Sequence, residues 1–111
     1  MVEMPEDAKN LIAQFQGYQQ QLQSILMQKE SMKMQNMEIE RALEELKSTN
    51  QKTAYKITGQ IMVSKQVEEL KKDLGETKEN IDLRIKSLEK NEERLNVKLK
   101  DLQEKLKEVM R

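Results

Sequence analysis

Catalysis draws on nucleophiles, groups that exchange protons near neutral pH, or metal ligands, and this 111-residue chain has neither His nor Cys. Its ionisable groups are 20 acidic and 20 basic side chains, interleaved as in "EELKKDLGETKEN" and "KLKDLQEKLKEVMR". That spacing sets carboxylates beside lysines on solvated helical faces, where no pair of carboxylates shares a site. There is no Gly-rich phosphate loop and no metal-ligand spacing, so the residues imply neither an enzyme nor a cofactor or metal. What remains is the chemistry of accessible apolar groups, for which "ILMQKESMKMQNM" is a candidate. Met27, Met34 and Met37 stand off its apolar seam, and flexible thioethers suit surfaces that accept varied partners. The plainer reading is that they are good helix formers, or pack against a neighbouring coiled coil.

Composition limits how such groups can be held. Over a third of the residues are charged, only 3% are aromatic and there is no Trp, which leaves little for a globular core. Leu, Ile, Met and Val dispersed among Lys, Glu and Gln suit long two-faced helices. The formal net charge is zero, so nothing draws the chain as a whole to nucleic acid or an anionic membrane. Residues 1–50 carry 5 basic and 8 acidic side chains (net −3), whereas 51–111 carry 15 and 12 (net +3). Two helices drawn from these halves would pair without like-charge repulsion. No apolar run of about 20 residues is present to span a bilayer. The opening "MVEMPEDAKN" lacks the basic and apolar regions of a signal peptide, and the expected location is the cytoplasm.

Two tracts have coiled-coil periodicity. Pro5, followed by Glu6 and Asp7, predicts a helix start with Pro at the first helical position and acids at the positive end of the macrodipole. With Ala8 as a, the d positions Leu11, Tyr18, Ile25, Met32, Ile39 and Leu46 are all apolar or aromatic. The a positions Ala8, Phe15, Leu22, Lys29, Asn36 and Leu43 include two polar residues that would fix register. The second tract starts near Ser64, a candidate N-cap, and its seam runs through Val67, Leu70, Leu74, Thr77 and Ile81. It continues through Ile85, Leu88, Glu92, Leu95, Leu99, Leu102, Leu106 and Val109, broken only by Glu92. Successive steps of four from Thr77 to Ile81 and Ile85 predict a stutter. Asp82 with Lys86 and Asp101 with Lys105 are candidate intrahelical pairs. Each tract is about 45 residues, or roughly 65 Å. Their similar length favours an antiparallel hairpin with both chain ends at its open end, a parallel dimer being the main alternative.

Between them, "TAYKITGQIMVSK" predicts two short strands, Thr53 to Thr58 and Ile61 to Lys65, about a Gly59-Gln60 loop. Gly at the first loop position suits a type II′ turn, with Ile57 opposite Met62, Tyr55 opposite Ser64 and Lys56 opposite Val63. A lone two-stranded hairpin is marginal in water and has two unpaired edges, so its expected role is pairing with hairpins of other subunits. A mere linker would not need Tyr55, Ile57, Ile61 and Val63.

Several stretches together resemble the β subunit of archaeal prefoldin over nearly the whole chain: "YQQQLQ" from Tyr18, "YK..G...V" from Tyr55 to Val63, and "RIKSLEKNEERL" from Arg84. The chain departs from that family at "STNQKTA", Ser48 to Ala54, where the family tends to have an Asp-rich turn. The resemblance implies a mainly α fold in which one short β-hairpin joins a long antiparallel two-helix coiled coil and assembles into an inter-subunit β-barrel. One prefoldin-like domain would cover 1–111: an N-terminal helix 5–49, the assembly hairpin 53–65 and a C-terminal helix 66–111. It further implies a heterohexamer of two α-type and four β-type subunits that captures unfolded polypeptides without ATP and passes them to a group II chaperonin. No nucleic-acid or membrane partner is implied.

Such a protein needs apolar groups at its coiled-coil ends. The candidates for client binding are Val2, Met4, Leu11, Ile12, Phe15, Leu102, Leu106, Val109 and Met110. Leu11, Phe15, Leu102 and Leu106 are seam residues that could open where the supporting turns run out, while Val2, Met4, Ile12, Val109 and Met110 are expected to be exposed. By family analogy, "KLKDLQEKLKEVMR" is a candidate chaperonin contact. The candidate assembly residues are Tyr55, Ile57, Gly59, Ile61, Met62 and Val63. A scaffolding coiled coil oligomerised through its hairpin is the alternative from another functional class. Nucleic-acid binding lacks the basic stripe with aromatics that it would need.

Overall fold

The computed structural model describes residues 5–110. In chain order the elements are α1 (Glu6–Ser48), β1 (Thr53–Thr58), β2 (Ile61–Gln66) and α2 (Val67–Val109). They form two compact units, one joining the chain up to Glu30 with the chain from Lys86 onward, the other comprising Ser31–Ile85. Within each unit, α1 and α2 run antiparallel.

Helix α1 begins one residue later than its sequence suggests. The Pro5 carbonyl accepts the bond from the Lys9 N–H (3.1 Å), so Pro5 is the cap residue and Glu6 the first helical one. A proline loses nothing there, because its missing N–H would have had no helical partner. Every a and d position from Ala8 to Leu46 is buried or half-buried, and elsewhere on α1 only Ile12 and Ala42 escape full exposure. A single stripe of this kind is what one partner helix can cover.

The α2 seam differs from the predicted one at a single turn. Thr77 is exposed, its hydroxyl donating to the Asp73 carbonyl (2.9 Å), and Lys78 is half-buried in its place. The two steps of four therefore run Leu70–Leu74–Lys78, about one turn before the expected stutter. A lysine can hold this position because its stem covers apolar surface while its ammonium reaches Asp82 Oδ2 (3.2 Å) and Glu40 Oε1 (3.6 Å). The hydrogen bond to Asp82, followed by the attraction of its charge, raises the Lys78 pKa above the ordinary 10.5. Asp82 thus pairs with Lys78, not with Lys86, whereas Lys105 and Asp101 do approach to 4.0 Å.

The remaining polar seam residues pair across the helices. In the first unit Lys29 Nζ lies 2.6 Å from Glu92 Oε2, joining the polar a residue of α1 to the one acid in the α2 seam. In the second, buried Asn36 donates from Nδ2 to Asp82 Oδ1 (2.6 Å), while its own Oδ1 has no partner among the described residues. The hydrogen bond to Glu92 raises the Lys29 pKa above 10.5, and partial desolvation opposes the rise.

Hydrogen bonds also shape the junctions between helix and strand. After Ser48 the Thr49 hydroxyl accepts the Gln51 N–H (3.2 Å), turning the chain toward β1. Register runs from Thr53 opposite Gln66 to Thr58 opposite Ile61, with Tyr55 opposite Ser64, Lys56 opposite Val63 and Ile57 opposite Met62, as the sequence predicts. Gly59 has φ +61° and no other residue type takes positive φ among the described residues, the type II′ pattern. Ser64 is not an N-cap: it is paired within β2, which runs on to Gln66. The first amide of α2, Val67 N–H, is satisfied by the Lys52 carbonyl (2.9 Å), so the sheet ladder does the work of a cap.

Leu95, at 2% exposure, is the most deeply buried large side chain of the first unit. Leu95→Ala is expected to lower stability by about 2–5 kcal/mol, read as the shift of the urea midpoint of helical circular dichroism. The Lys29–Glu92 pair predicts a pH effect. A folded-state pKa above the unfolded 10.5 contributes stability that is complete below pH 10.5 and lost as pH climbs through the raised value. The thermal midpoint of wild type should therefore fall more steeply above pH 10.5 than that of a Lys29→Met, Glu92→Leu variant, and parallel curves would remove the pair from the pH response.

Candidate functional site

The hairpin holds the largest accessible apolar group in the second unit. Alternation along the strands places Tyr55, Ile57 and Met62 on one face and Ile61 and Val63 on the other. All five are exposed, Ile57 at 72% and Tyr55 at 69%, although β-branched and aromatic residues form strands chiefly where neighbours cover them. Gly59 supports this arrangement through its backbone alone. A Cβ built there would meet nothing within 4 Å, so the left-handed φ, which disfavours other residues by about 1–2 kcal/mol, is the whole reason for glycine. The six residues expected to serve assembly are thus brought together.

The helix ends in the first unit are arranged differently. Leu11 and Val109 share a shallow groove with Asp7, Asn10, Lys105 and Glu108, so an apolar floor is rimmed by both charges. Leu102 is buried, and Leu11, Phe15 and Leu106 are half-buried in the seam. Ile12 and Val109, expected to be exposed, are half-buried too. Ile12 has fewer than two helical turns before it and Val109 ends α2 with none after it, so shading by the adjoining helix is enough. Met110 alone among the described candidates is open, at 54% exposure, its N–H bonded to the Leu106 carbonyl (3.0 Å). Val2 and Met4 lie outside the described residues.

Other exposed groups were not singled out from sequence. Leu83 and Val97 are both well exposed on α2, and Val97 lies in a groove among Lys90, Glu93 and Lys100. Their signal was available: each is an apolar residue off the heptad seam. Met27, Met34 and Met37 are exposed as their off-seam positions predict. Tyr18, in the α1 seam, receives the Lys98 ammonium over its ring, 5.1 Å from the centroid, which closes the seam there with a cation–π contact. Among the described residues no three His, Cys, Asp or Glu side chains are placed to hold a metal ion, and no helix is long and apolar enough to cross a membrane.

In each unit α1 and α2 pair along a seam, and in the second the strand pair that joins them has both faces bare, an arrangement that can be compared with known proteins. The family model for prefoldin subunits matches residues 9–111. The chain belongs to the prefoldin family. It is 38% identical to the prefoldin subunit beta of Archaeoglobus fulgidus over 99% of its length and 96% of that protein's. With the subunit beta of Thermococcus onnurineus it shares 33% identity, over 100% of this chain and 97% of the other. The crystal structure of the prefoldin beta subunit from a Thermococcus strain matches it at a TM-score of 0.88 and 30% identity, covering 100% of this chain and 98% of that one. The chain is thus a β-type member of a chaperone family whose subunits work in hetero-oligomers.

If the bare hairpin is the assembly surface, charge placed on it should block association without touching the helices. The Ile57→Lys, Ile61→Lys variant is expected to lose the high-mass complex with an α-type partner in native mass spectrometry, yet keep wild-type helical circular dichroism. Persistence of the complex would remove the hairpin from assembly.

Proposed function

We propose that this prefoldin β-type chain joins α-type subunits, as four β to two α, through its hairpin, in a hexamer closed by an inter-subunit β-barrel. The assembled complex holds unfolded polypeptides without ATP and passes them to a group II chaperonin in the cytoplasm. The observation that carries this reading is the hairpin: five exposed apolar side chains and two unpaired edges are stable only when another strand covers them.

Holding is a matter of accessible apolar surface, with no bond made or broken, so the chain acts as a binding protein and not as an enzyme. The client surface is assigned to the helix ends: Leu11, Ile12, Phe15, Leu102, Leu106, Val109 and Met110, with Val2 and Met4 ahead of them in sequence. Met110 is open already, and the half-buried members are supported by few further turns, the condition under which local opening is least costly. The rim of Asp7, Lys105 and Glu108 keeps the ends soluble while leaving an apolar floor for a client side chain. The charged run "KLKDLQEKLKEVMR" supplies the chaperonin contact. No observation favours a purely scaffolding role.

The test uses the complex with an α-type partner and a chemically denatured protein that aggregates on dilution. Wild type should suppress light scattering without nucleotide. A form lacking the residues before Ile12 and after Leu102 should keep the hexamer's mass and lose that protection. Equal protection by the shortened complex would overturn the assignment to the helix ends.

A further inference from the structure

In a chain that is more than one-third charged, the 19 residues between Lys9 and Lys29, "NLIAQFQGYQQQLQSILMQ", carry no charge at all, and seven of them are Gln. Across the seam in the same unit the contrast is strong. More than half of the residues from Lys86 onward are charged. This unit therefore presents two outward faces of different chemistry, one ionic on α2 and one uncharged on α1.

On the uncharged face Gln20, Gln23, Ser24, Met27 and Gln28 line a shallow groove, with Met27 exposed at 69% and Leu26 at 40%. A single hydrogen bond links these side chains, Gln28 Nε2 to Ser24 Oγ at 3.2 Å. The other amides are directed to solvent. A primary amide carries donors and an acceptor together and can bond any peptide group, while a thioether adapts its shape to different side chains. Covering this face removes no charge from water, so its cost is far below that of covering α2.

The same pattern says what does not dock there. A second helix packs by inserting side chains between apolar residues repeated every three or four positions. At the outward heptad positions here, Gln20, Gln23, Ser24 and Met27, only one residue is apolar. The ionic face of a second copy's α2 would have to shed water from charges with no opposite charge to meet.

We propose that this groove of α1 is a lateral binding surface for unfolded segments poor in charge, which it holds by amide hydrogen bonds and the Met27 side chain. The proposal deepens the holdase reading and rests on it. It places client contacts on the side of α1, apart from the residues assigned at the helix ends.

The test is the variant Gln20→Glu, Gln23→Lys, Ser24→Lys, Met27→Glu in the assembled complex with an α-type partner. It adds two charges of each sign, leaves the net charge unchanged, and sets each new acid four residues from a new base, which supports the helix. Wild type and variant are compared by native mass and by suppression of aggregation of two denatured test proteins, one poor and one rich in charge. With the mass unchanged, the low-charge client should need roughly tenfold more variant complex for half-protection, and the charge-rich client a smaller increase. Equal protection of the low-charge client by variant and wild type would overturn the lateral surface while leaving the holdase reading intact. Loss of the complex would also overturn it, by making this face a subunit contact. A wild-type complex that protects neither client would overturn the holdase reading itself, and this proposal with it.

Discussion

In each unit α1 and α2 meet along one seam, and the rest of the unit depends on how that seam is kept in register. Leu, Ile and Met knobs alone would accept a slip of one heptad, since each would meet another apolar residue after the shift. The polar residues do not. A slip that set Lys29 opposite Leu99 would leave both its ammonium and the Glu92 carboxylate without the 2.6 Å contact they now share. A slip at Asn36 would strand a buried amide that already has one unpaired atom, at a cost of about 1–3 kcal/mol for each further lost partner. In a parallel dimer Lys29 would face Lys29 and Glu92 would face Glu92. The polar members of the seam add little to affinity and exclude the alternatives.

Register in the second unit also determines the hairpin. Asn36 with Asp82 and Glu40 with Lys78 set the two helices before the chain reaches β1. The bond from Val67 N–H to the Lys52 carbonyl then lets the sheet ladder run into α2 with no intervening loop. A loop there would let the hairpin swivel. With none, Tyr55, Ile57 and Met62 keep a fixed face toward whatever partner covers them.

Much of this was legible in the sequence because heptad and strand periods are strong signals. The α1 seam, the strand register and the turn type all follow from positions such as Tyr18, Ile57 and Gly59. What was not legible concerns residues whose environment is decided across the chain. Thr77 and Lys78 are both poor seam residues on composition, and only the acids at Glu40 and Asp82 make the lysine the better occupant. Ser64 has the chemistry of an N-cap, but pairing with Tyr55 outweighs a local capping preference. Lys29 and Glu92 each read as a flaw in its own helix, and their compensation is visible only when residues 63 apart are brought together. At the helix ends, heptad position says which side a residue faces but not how far the adjoining helix shades it, which is why Ile12 and Val109 are less open than expected.

The division of labour between seam and surface follows from how few apolar residues the chain has. With hydrophobic residues at 36% and no Trp, nearly every Leu and Ile of the coiled coil is drawn into the seam, and apolar residues left outside need a reason. On the hairpin the reason is a strand partner. On α2, Leu83 and Val97 stand singly among charges, the ordinary condition of a soluble surface. On α1 from Asn10 to Gln28 the surroundings of Leu26 and Met27 differ, because the charges that elsewhere keep apolar groups from being covered have been replaced by Gln. Helix propensity does not require that replacement, since Glu, Lys and Gln are nearly equal helix formers. The choice of amide over charge along that face therefore bears on what can cover the helix, not on whether the helix forms.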